Sequence, residues 1–201
     1  MLKSRRKAKE LAAAVSRGRE LRRSGQDPEE ALEFLEDAVR RFPADAELRL
    51  LYAASLSVFE PENAAREAVK AVKLGSDNPA ILVRAGHLLL GSGDRETARS
   101  CAARATELAK PGFILMSGLV HLNGLLAAFA GEDELAEENL RSAVTSEPDN
   151  ERWARHLAVF LAERGRLQEG AEVLDEALKH VEKKDEIERM RDRMAAEAAG
   201  S

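Results

Sequence analysis

Cysteine, aromatic residues and β-branched residues are scarce in this sequence, and each shortage argues against a class of protein. Cys101 is the only cysteine in 201 residues, so no disulfide can form within the chain. Aromatic residues make up 4%, and this composition argues against a sheet-rich fold. Ala, Leu, Glu and Arg dominate instead, and most of them are strong helix formers. The composition therefore predicts an all-α protein.

The N-terminus lacks the apolar core of a secretory signal. Its basic residues are followed by an apolar run of about five residues, whereas a signal needs roughly seven to fifteen. A single cysteine is compatible with a reducing compartment. We therefore predict a cytoplasmic location.

One long segment, residues 111–131, has no charged side chain. Its length is close to the minimum of roughly 17 to 20 residues for a membrane span. Ser117, His121, Asn123 and several glycines dilute its hydrophobicity. We predict a buried helix here and do not expect insertion into a membrane.

Charge is distributed unevenly along the chain. Residues 1–23 carry nine Lys/Arg and two Asp/Glu, although the net charge of the whole chain is −5. One interpretation is a basic arm that contacts nucleic acid or an anionic lipid surface. The interpretation we favour is a solvated first helix that docks through a thin apolar stripe of Leu11, Val15 and Leu21.

Small residues recur at a spacing of 34 along the chain. The pairs are Ala64 and Ala98, Ala71 and Ala105, Ala136 and Gly170, and Ala143 and Ala177. The turn glycines Gly131 and Gly165 have the same spacing. Two antiparallel helices approach closely only where side chains are small, so the pattern predicts a series of helical hairpins.

This pattern resembles the tetratricopeptide repeat, a 34-residue helix-turn-helix unit. The segment GEDELAEENLRSAVTSEPDN contains each element of the pattern. Gly131 is the turn glycine, Ala136 and Ala143 are the small residues, Leu140 is the large apolar residue between them, and Pro148 closes the segment. The resemblance implies a right-handed α-solenoid of about five hairpins, because one hairpin cannot bury its apolar face alone.

The resemblance also suggests how the chain is divided. We predict a basic N-terminal arm over residues 1–11, the solenoid over 12–182, and a capping helix with a tail over 183–201. In the last segment Ile187, Met190 and Met194 form a stripe that could cover the final hairpin, while the other face is charged.

Three departures from the repeat pattern have structural consequences. The first hairpin has Arg19 and Arg22 where small or apolar residues are expected, and the second replaces the glycine turn by FEPEN. Between Ala98 and Ala136 the spacing is 38, and four extra residues amount to about one helical turn. We predict that this insertion lengthens the first helix of the fourth hairpin.

In this family the first helices of successive hairpins line a concave groove that binds extended peptides. The resemblance implies that the partner-binding residues are Val83, His87, Leu90, His121, Leu125, Phe129, Arg152, Arg155 and Val159. Such a groove would complement an apolar peptide segment with an acidic flank. Phe113, Ile114, Leu115 and Met116 form a candidate second apolar patch. Internal packing or closure of a dimer remains an alternative role for both sets.

Catalytic and metal-binding motifs are not apparent. His87, His121 and His156 recur at 34 and 35 residues, but no carboxylate or cysteine has a ligand spacing beside them. Cys101 lies among alanines, with no base placed by the sequence to activate it. We therefore expect no cofactor, no metal site and no enzymatic activity.

The function predicted from the sequence is a protein-interaction scaffold or adaptor that binds a partner peptide or protein in its groove. One alternative is a self-assembling component, a homodimer formed through the apolar residues 113–116. Another is an adaptor for nucleic acid or a membrane surface that acts through the basic N-terminus. Nucleic-acid binding is not expected to be the main role.

Overall fold

The computed structural model describes residues 2–25, 27–182 and 184–200, and all regular structure within them is helical. The helices are α1 (Leu2–Ser24), α2 (Pro28–Arg41), α3 (Ala46–Leu56), α4 (Pro61–Leu74), α5 (Pro79–Gly91), α6 (Arg95–Leu108), α7 (Met116–Ala130), α8 (Asp133–Ser146), α9 (Glu151–Ala162), α10 (Leu167–Ala177) and α11 (Asp185–Gly200). The predicted all-α class is confirmed.

The chain divides into two compact units. The N-terminal unit, Met1–Phe113, contains the hairpins α1–α2, α3–α4 and α5–α6. The C-terminal unit, Ile114–Ser201, contains the hairpins α7–α8 and α9–α10, followed by α11, which packs on α10. All five hairpins predicted from the repeat pattern are therefore present.

Acidic and amide side chains fix where several helices begin. Asp27 accepts hydrogen bonds from the backbone N–H groups of Glu29 and Glu30 at the start of α2. Asp45 and Asp94 accept from the third backbone N–H that follows them, at distances of 2.8 and 3.1 Å. These bonds satisfy donors that a helix N-terminus otherwise leaves without partners.

The recurring small residues lie where the two helices of a hairpin meet. Ala64, Ala98 and Ala136 are all at most 3% exposed. Gly170 makes the tightest backbone approach, because a Cβ atom there would lie 3.0 Å from the carbonyl oxygen of Ala158. The 34-residue spacing thus marks the closest helix contacts.

Each unit has its own apolar core. In the N-terminal unit Leu35, Leu48 and Leu51 are buried, and Leu11 and Val15 of α1 pack against them. In the C-terminal unit one cluster surrounds Leu140, Leu157 and Leu161. A second cluster joins α9, α10 and α11 through buried residues that include Ala158, Leu174, Ile187 and Met194.

The prediction that the insertion lengthens a helix by one turn holds only in part. Helix α7 has 15 residues, against 11, 13 and 12 in α3, α5 and α9, but the connection before it is longer as well. Residues 109–115 form a seven-residue connection, whereas residues 75–78 and 147–150 connect other hairpins with four. Pro111 and Gly112 lie in a turn, and Gly112 has a positive φ of 80° that a right-handed helix cannot contain.

The uncharged segment contributes α7, whose His121 and Leu122 are fully buried at 0% exposure. Within the residues described, every helix is too short or too polar to span a bilayer.

The N-terminal arm and the C-terminal cap correspond to continuous helices. Helix α1 runs without a break through the predicted boundary at residue 11. In α11 the side chains of Ile187 and Met194 are buried, and Met190 packs beside them. The division into arm, solenoid and cap stays a prediction.

Candidate functional site

The predicted groove residues differ in whether a partner could reach them. Val83, Leu90 and His121 are buried, with exposures of 2%, 7% and 0%. His87, Leu125 and Arg155 are partly exposed, and Phe129, Arg152 and Val159 are exposed. A partner can therefore contact only some of the predicted set.

The predicted residues also lie in different units. Val83, His87 and Leu90 are on α5 of the N-terminal unit. The other six are on α7 and α9 of the C-terminal unit, two helices that are in contact through His121 and His156. The rest of this section concerns the surface of these two helices.

Two histidines meet at the base of this surface. His121 Nε2 of α7 and His156 Nδ1 of α9 lie 2.9 Å apart, in hydrogen-bond contact. The His121 ring also stacks on Trp153, with a centroid distance of 3.8 Å. Burial, together with the smaller effect of the positive charges of Arg152 and Arg155, lowers the pKa of His156 to about 4. His156 is therefore neutral at pH 7, as a hydrogen bond between two imidazoles favours.

The carboxylate of Glu147 links the first turns of α7 and α9 through hydrogen bonds. Glu147 accepts hydrogen bonds from Trp153 Nε1 at 3.1 Å, from Asn150 Nδ2 at 2.9 Å and from the Ser117 hydroxyl. Burial would raise the pKa of Glu147, but these hydrogen bonds outweigh it and lower the pKa. Ser117 and Trp153 lie in first turns, and the paired His121 and His156 follow in the second turns, so α7 and α9 begin at the same end and run parallel.

The charged end of the surface is formed by Arg152 and Arg155 at the start of α9. Arg155 Nη1 lies 2.7 Å from Glu186 Oε1 of α11 and is therefore already paired. Arg152 is exposed, its guanidinium lies 5.9 Å from the ring centroid of Trp153, and no described carboxylate pairs with it. Loss of surrounding water lowers the pKa of Arg152, and the charge of Arg155 lowers it further.

The apolar end lies toward the C-termini of the same two helices. Phe129 on α7 is 52% exposed and Val159 on α9 is 39% exposed. Leu125 and Ala128 lie between them and the core, half-buried against the cluster around Leu140. The surface thus changes from cationic to apolar along its length.

The candidate second patch, residues 113–116, is uneven in exposure. Ile114 is 86% exposed and Met116 is 40% exposed, whereas Phe113 and Leu115 are half-buried. Phe113 belongs to the N-terminal unit, and Ile114, Leu115 and Met116 belong to the C-terminal unit. The role of this patch in self-association stays a prediction.

The chemistry of the described side chains offers no obvious catalytic group. Burial raises the pKa of the Cys101 thiol to about 11, with a further contribution from Asp94, so little thiolate forms at neutral pH. Within the described residues, no three His, Cys, Asp or Glu side chains are grouped so that they could hold a metal ion.

The sequence analysis missed three residues of this surface. Trp153 is the only tryptophan and lies three residues before His156, so helical spacing could have placed both on one face. Glu147 precedes α9 and could have been suspected as a partner near its start. Glu186 gave no local signal, because it comes from a helix more than thirty residues away from Arg155.

Residues 121–185 match the family model described as tetratricopeptide repeat. Among curated proteins, no sequence matches the chain significantly.

Solved structures share the fold at low sequence identity. A thermophilic tetratricopeptide protein of Thermus thermophilus is 23% identical, with a TM-score of 0.72 over 92% of this chain and 97% of that one. PilW, a widely conserved type IV pilus biogenesis factor, is 19% identical, with a TM-score of 0.71 over 94% and 90%. Pseudomonas aeruginosa PilF is 18% identical, with a TM-score of 0.69 over 96% and 87%.

The family match covers most of the fourth hairpin and all of the fifth, and the structural likeness extends over nearly the whole chain. Residues 121–185 therefore match the tetratricopeptide repeat by sequence, and nearly the whole chain shares the fold of a solved tetratricopeptide protein.

Proposed function

We propose that this protein is a scaffold that binds a segment of another protein along α7 and α9 of its C-terminal unit. An acidic side chain of the partner pairs with Arg152, and an apolar side chain packs between Phe129 and Val159. The observation that carries this proposal is Arg152 itself, an accessible cation with no carboxylate partner among the described residues.

Arg155 supports the same partner chemistry. Its guanidinium already holds the carboxylate of Glu186 at 2.7 Å, so this end of α9 suits a carboxylate ligand. Glu186 is 63% exposed, and a partner carboxylate can compete with it. Arg152 and Arg155 also repel each other electrostatically, and a bound acid relieves that repulsion.

The length of the surface constrains the spacing within the partner. Arg152 and Val159 are seven residues apart on one helix, which corresponds to about 10 Å along its axis. An extended peptide covers about 3.3 Å per residue. The acidic and apolar residues of the partner are therefore about three positions apart.

The tetratricopeptide fold supports a protein-interaction scaffold in general terms. In this proposal the chain acts as a cytoplasmic adaptor and catalyses no reaction.

Selection from a displayed library of random peptides tests the proposal without requiring that the partner be identified first. Phe129→Glu is compared with Leu135→Glu, because Leu135 on α8 is 47% exposed and provides a matched control. We expect the parent and the control to enrich peptides that contain an apolar and an acidic residue about three positions apart. Phe129→Glu should lose them.

Circular dichroism and Trp153 fluorescence establish that each variant is folded. Equal enrichment by all three folded proteins, or no enrichment by the parent, would contradict the proposed surface.

A further inference from the structure

A groove lies between α8 and α10 of the C-terminal unit, outside the surface that the proposed function uses. Its floor consists of the apolar residues Val144, Leu157, Val173 and Ala177. Leu157 and Ala177 are buried in the core. Val144 and Val173 are half-buried and pack against the cluster around Leu140. The groove has a volume of about 340 Å³ and therefore admits a few side chains, since ligand clefts span roughly 300–1,000 Å³.

The cation that lines this groove is already neutralised. Among the described residues of the lining, Arg141 is the one lysine or arginine. Its Nη2 atom lies 2.8 Å from Glu137 Oε1 and 3.5 Å from Glu169 Oε2. Because Glu169 is on α10, the second contact crosses the groove from one helix to the other. Arg141 therefore has little positive charge to offer a ligand.

The wall of the groove formed by α10 is acidic. Glu169, Glu172 and Glu176 line it at a spacing of three and four residues, on one face of the helix. Glu169 is paired with Arg166 at 2.6 Å. Glu172 is exposed, accepts a hydrogen bond from the Gln168 amide at 3.1 Å and pairs with no cation among the described residues. The groove therefore has an excess of negative charge next to its apolar floor.

This combination is complementary to long cationic side chains. Lys and Arg bury an aliphatic stem on apolar surface while the charged end stays with water or a polar group. Val173 and Glu172 are adjacent on α10, so the stem can pack on one and the charged end can pair with the other. Glu176 can contribute as well, because its partners Lys179 and His180 are exposed and such exposed pairs contribute little to stability. The same carboxylates repel phosphate groups, which disfavours nucleic acid and anionic lipid as ligands.

We infer that the groove between α8 and α10 binds an amphipathic helix of another protein that carries Lys or Arg beside its apolar stripe. A helix lies well in a groove between two other helices, because its side chains fit between theirs. The lining of α10 extends from Glu169 to Ala177, which is about 12 Å along the helix axis. The ligand therefore contributes about two helical turns, with apolar residues at positions i, i+3 and i+4 and a basic residue next to them.

The binding of a fluorescently labelled helical peptide of Leu and Lys, measured by anisotropy, tests this inference. Thr145→Phe fills the groove, and Ser146→Phe is its control. Both residues are exposed on α8, and their hydroxyls donate to the carbonyl four residues earlier, at 2.9 and 2.8 Å. Of the two, Thr145 alone lines the groove. We expect Thr145→Phe to weaken binding about tenfold or more and Ser146→Phe to leave it unchanged.

A second pair of variants tests the charge of the groove. Glu172→Gln removes the carboxylate available to the ligand, whereas Glu188→Gln removes an exposed carboxylate of α11 that does not line the groove. Glu172→Gln should weaken binding about twofold to fivefold, as expected for the loss of an exposed ion pair, and Glu188→Gln should have little effect. A peptide in which Glu replaces Lys should bind more weakly than the Lys peptide.

This test is separate from that of the proposed function, because the Arg152→Gln protein should bind the Leu/Lys peptide as the parent does. Trp153 fluorescence verifies that each variant is folded. Equal affinities of Thr145→Phe and Ser146→Phe, no binding by the parent, or equal binding of the Glu peptide would overturn the inference. A parent dimer that Thr145→Phe converts to a monomer, measured by light scattering, would overturn it in favour of a second copy of the chain in the groove.

Discussion

The two units build the same type of helical hairpin, but one hairpin of the N-terminal unit has a different turn. In the C-terminal unit Gly131 and Gly165 lie in the turns, with φ values of 77° and 75°. In the N-terminal unit Gly25 and Gly93 lie in turns with φ values of 61° and 88°, whereas residues 57–60 join α3 to α4 without a glycine. Ala64 after that turn is as well buried as Ala136 after Gly131, at 3% and 0% exposure. The buried small residue is therefore more important to the hairpin than the residue type in its turn.

The units also differ in the ion pairs that link their helices. Arg49 and Glu67 of the N-terminal unit form a largely buried pair, with side chains 13% and 14% exposed. In the C-terminal unit Arg166 pairs with both Glu137 and Glu169, and Arg141 contacts the same two carboxylates. Hydrogen bonding from Arg166 holds the pKa of Glu137 at about 2, despite some burial. These side chains are 24–45% exposed, so the C-terminal network is more accessible to solvent than the pair of Arg49 and Glu67.

The largest expected effect comes from truncating one buried leucine in each unit. Leu35→Ala in the N-terminal unit and Leu174→Ala in the C-terminal unit each remove a side chain that is 0% exposed. Each should lower the free energy of unfolding by about 2–5 kcal/mol through lost burial and cavity formation.

Denaturant titration measures these losses with one intrinsic probe in each unit, since Tyr52 and Trp153 are the only tyrosine and tryptophan. We expect Leu174→Ala to shift the Trp153 transition and Leu35→Ala to shift the Tyr52 transition. A loss below about 1 kcal/mol in either case would show that the leucine is not part of a tightly packed core.

A smaller effect should distinguish the units by their response to acid. His156 has a pKa of about 4 in the folded protein, against an ordinary value of 6.5. Because the pKa is lowered on folding, its contribution to stability is complete above about pH 6.5 and is lost as the pH falls toward 4. The C-terminal unit should therefore weaken across this range.

His156→Gln is the variant that isolates this effect, because an amide can retain a hydrogen bond to His121 but does not titrate. Its stability, followed by Trp153 fluorescence during urea unfolding, should depend less on pH between 6.5 and 4 than that of the parent. Identical pH profiles for the two proteins would show that the imidazole pair does not contribute to acid sensitivity.

Residue spacing was sufficient to predict the hairpins, because small residues such as Ala98 and Ala143 determine where helices can approach. Spacing alone did not predict which of the groove side chains are exposed to solvent. Val83 and His121 were predicted to line the groove, but both are buried, and the ring of Trp153 stacks on His121. A helical pattern gives the direction of a side chain and does not reveal what the next hairpin places above it.

Two other features of the structure could not be predicted from the repeat pattern alone. Four inserted residues are compatible with a helical turn or a longer loop, and the pair Pro111 and Gly112 decides in favour of the loop. The pairing of Arg155 with Glu186 joins two helices distant in sequence, and only the packing of α11 brings them together. It also leaves Arg152 as the arginine of α9 that can receive a partner carboxylate.

The most direct test of the proposed binding surface is a reversal of charge at Arg152. Peptides are selected from one random library by the parent and by Arg152→Glu, with folding verified for both. The proposed surface predicts that the parent enriches acidic residues and that Arg152→Glu enriches Lys or Arg at the same distance from an unchanged apolar residue. Enrichment of the same acidic peptides by both proteins would contradict a role for Arg152 in binding the partner.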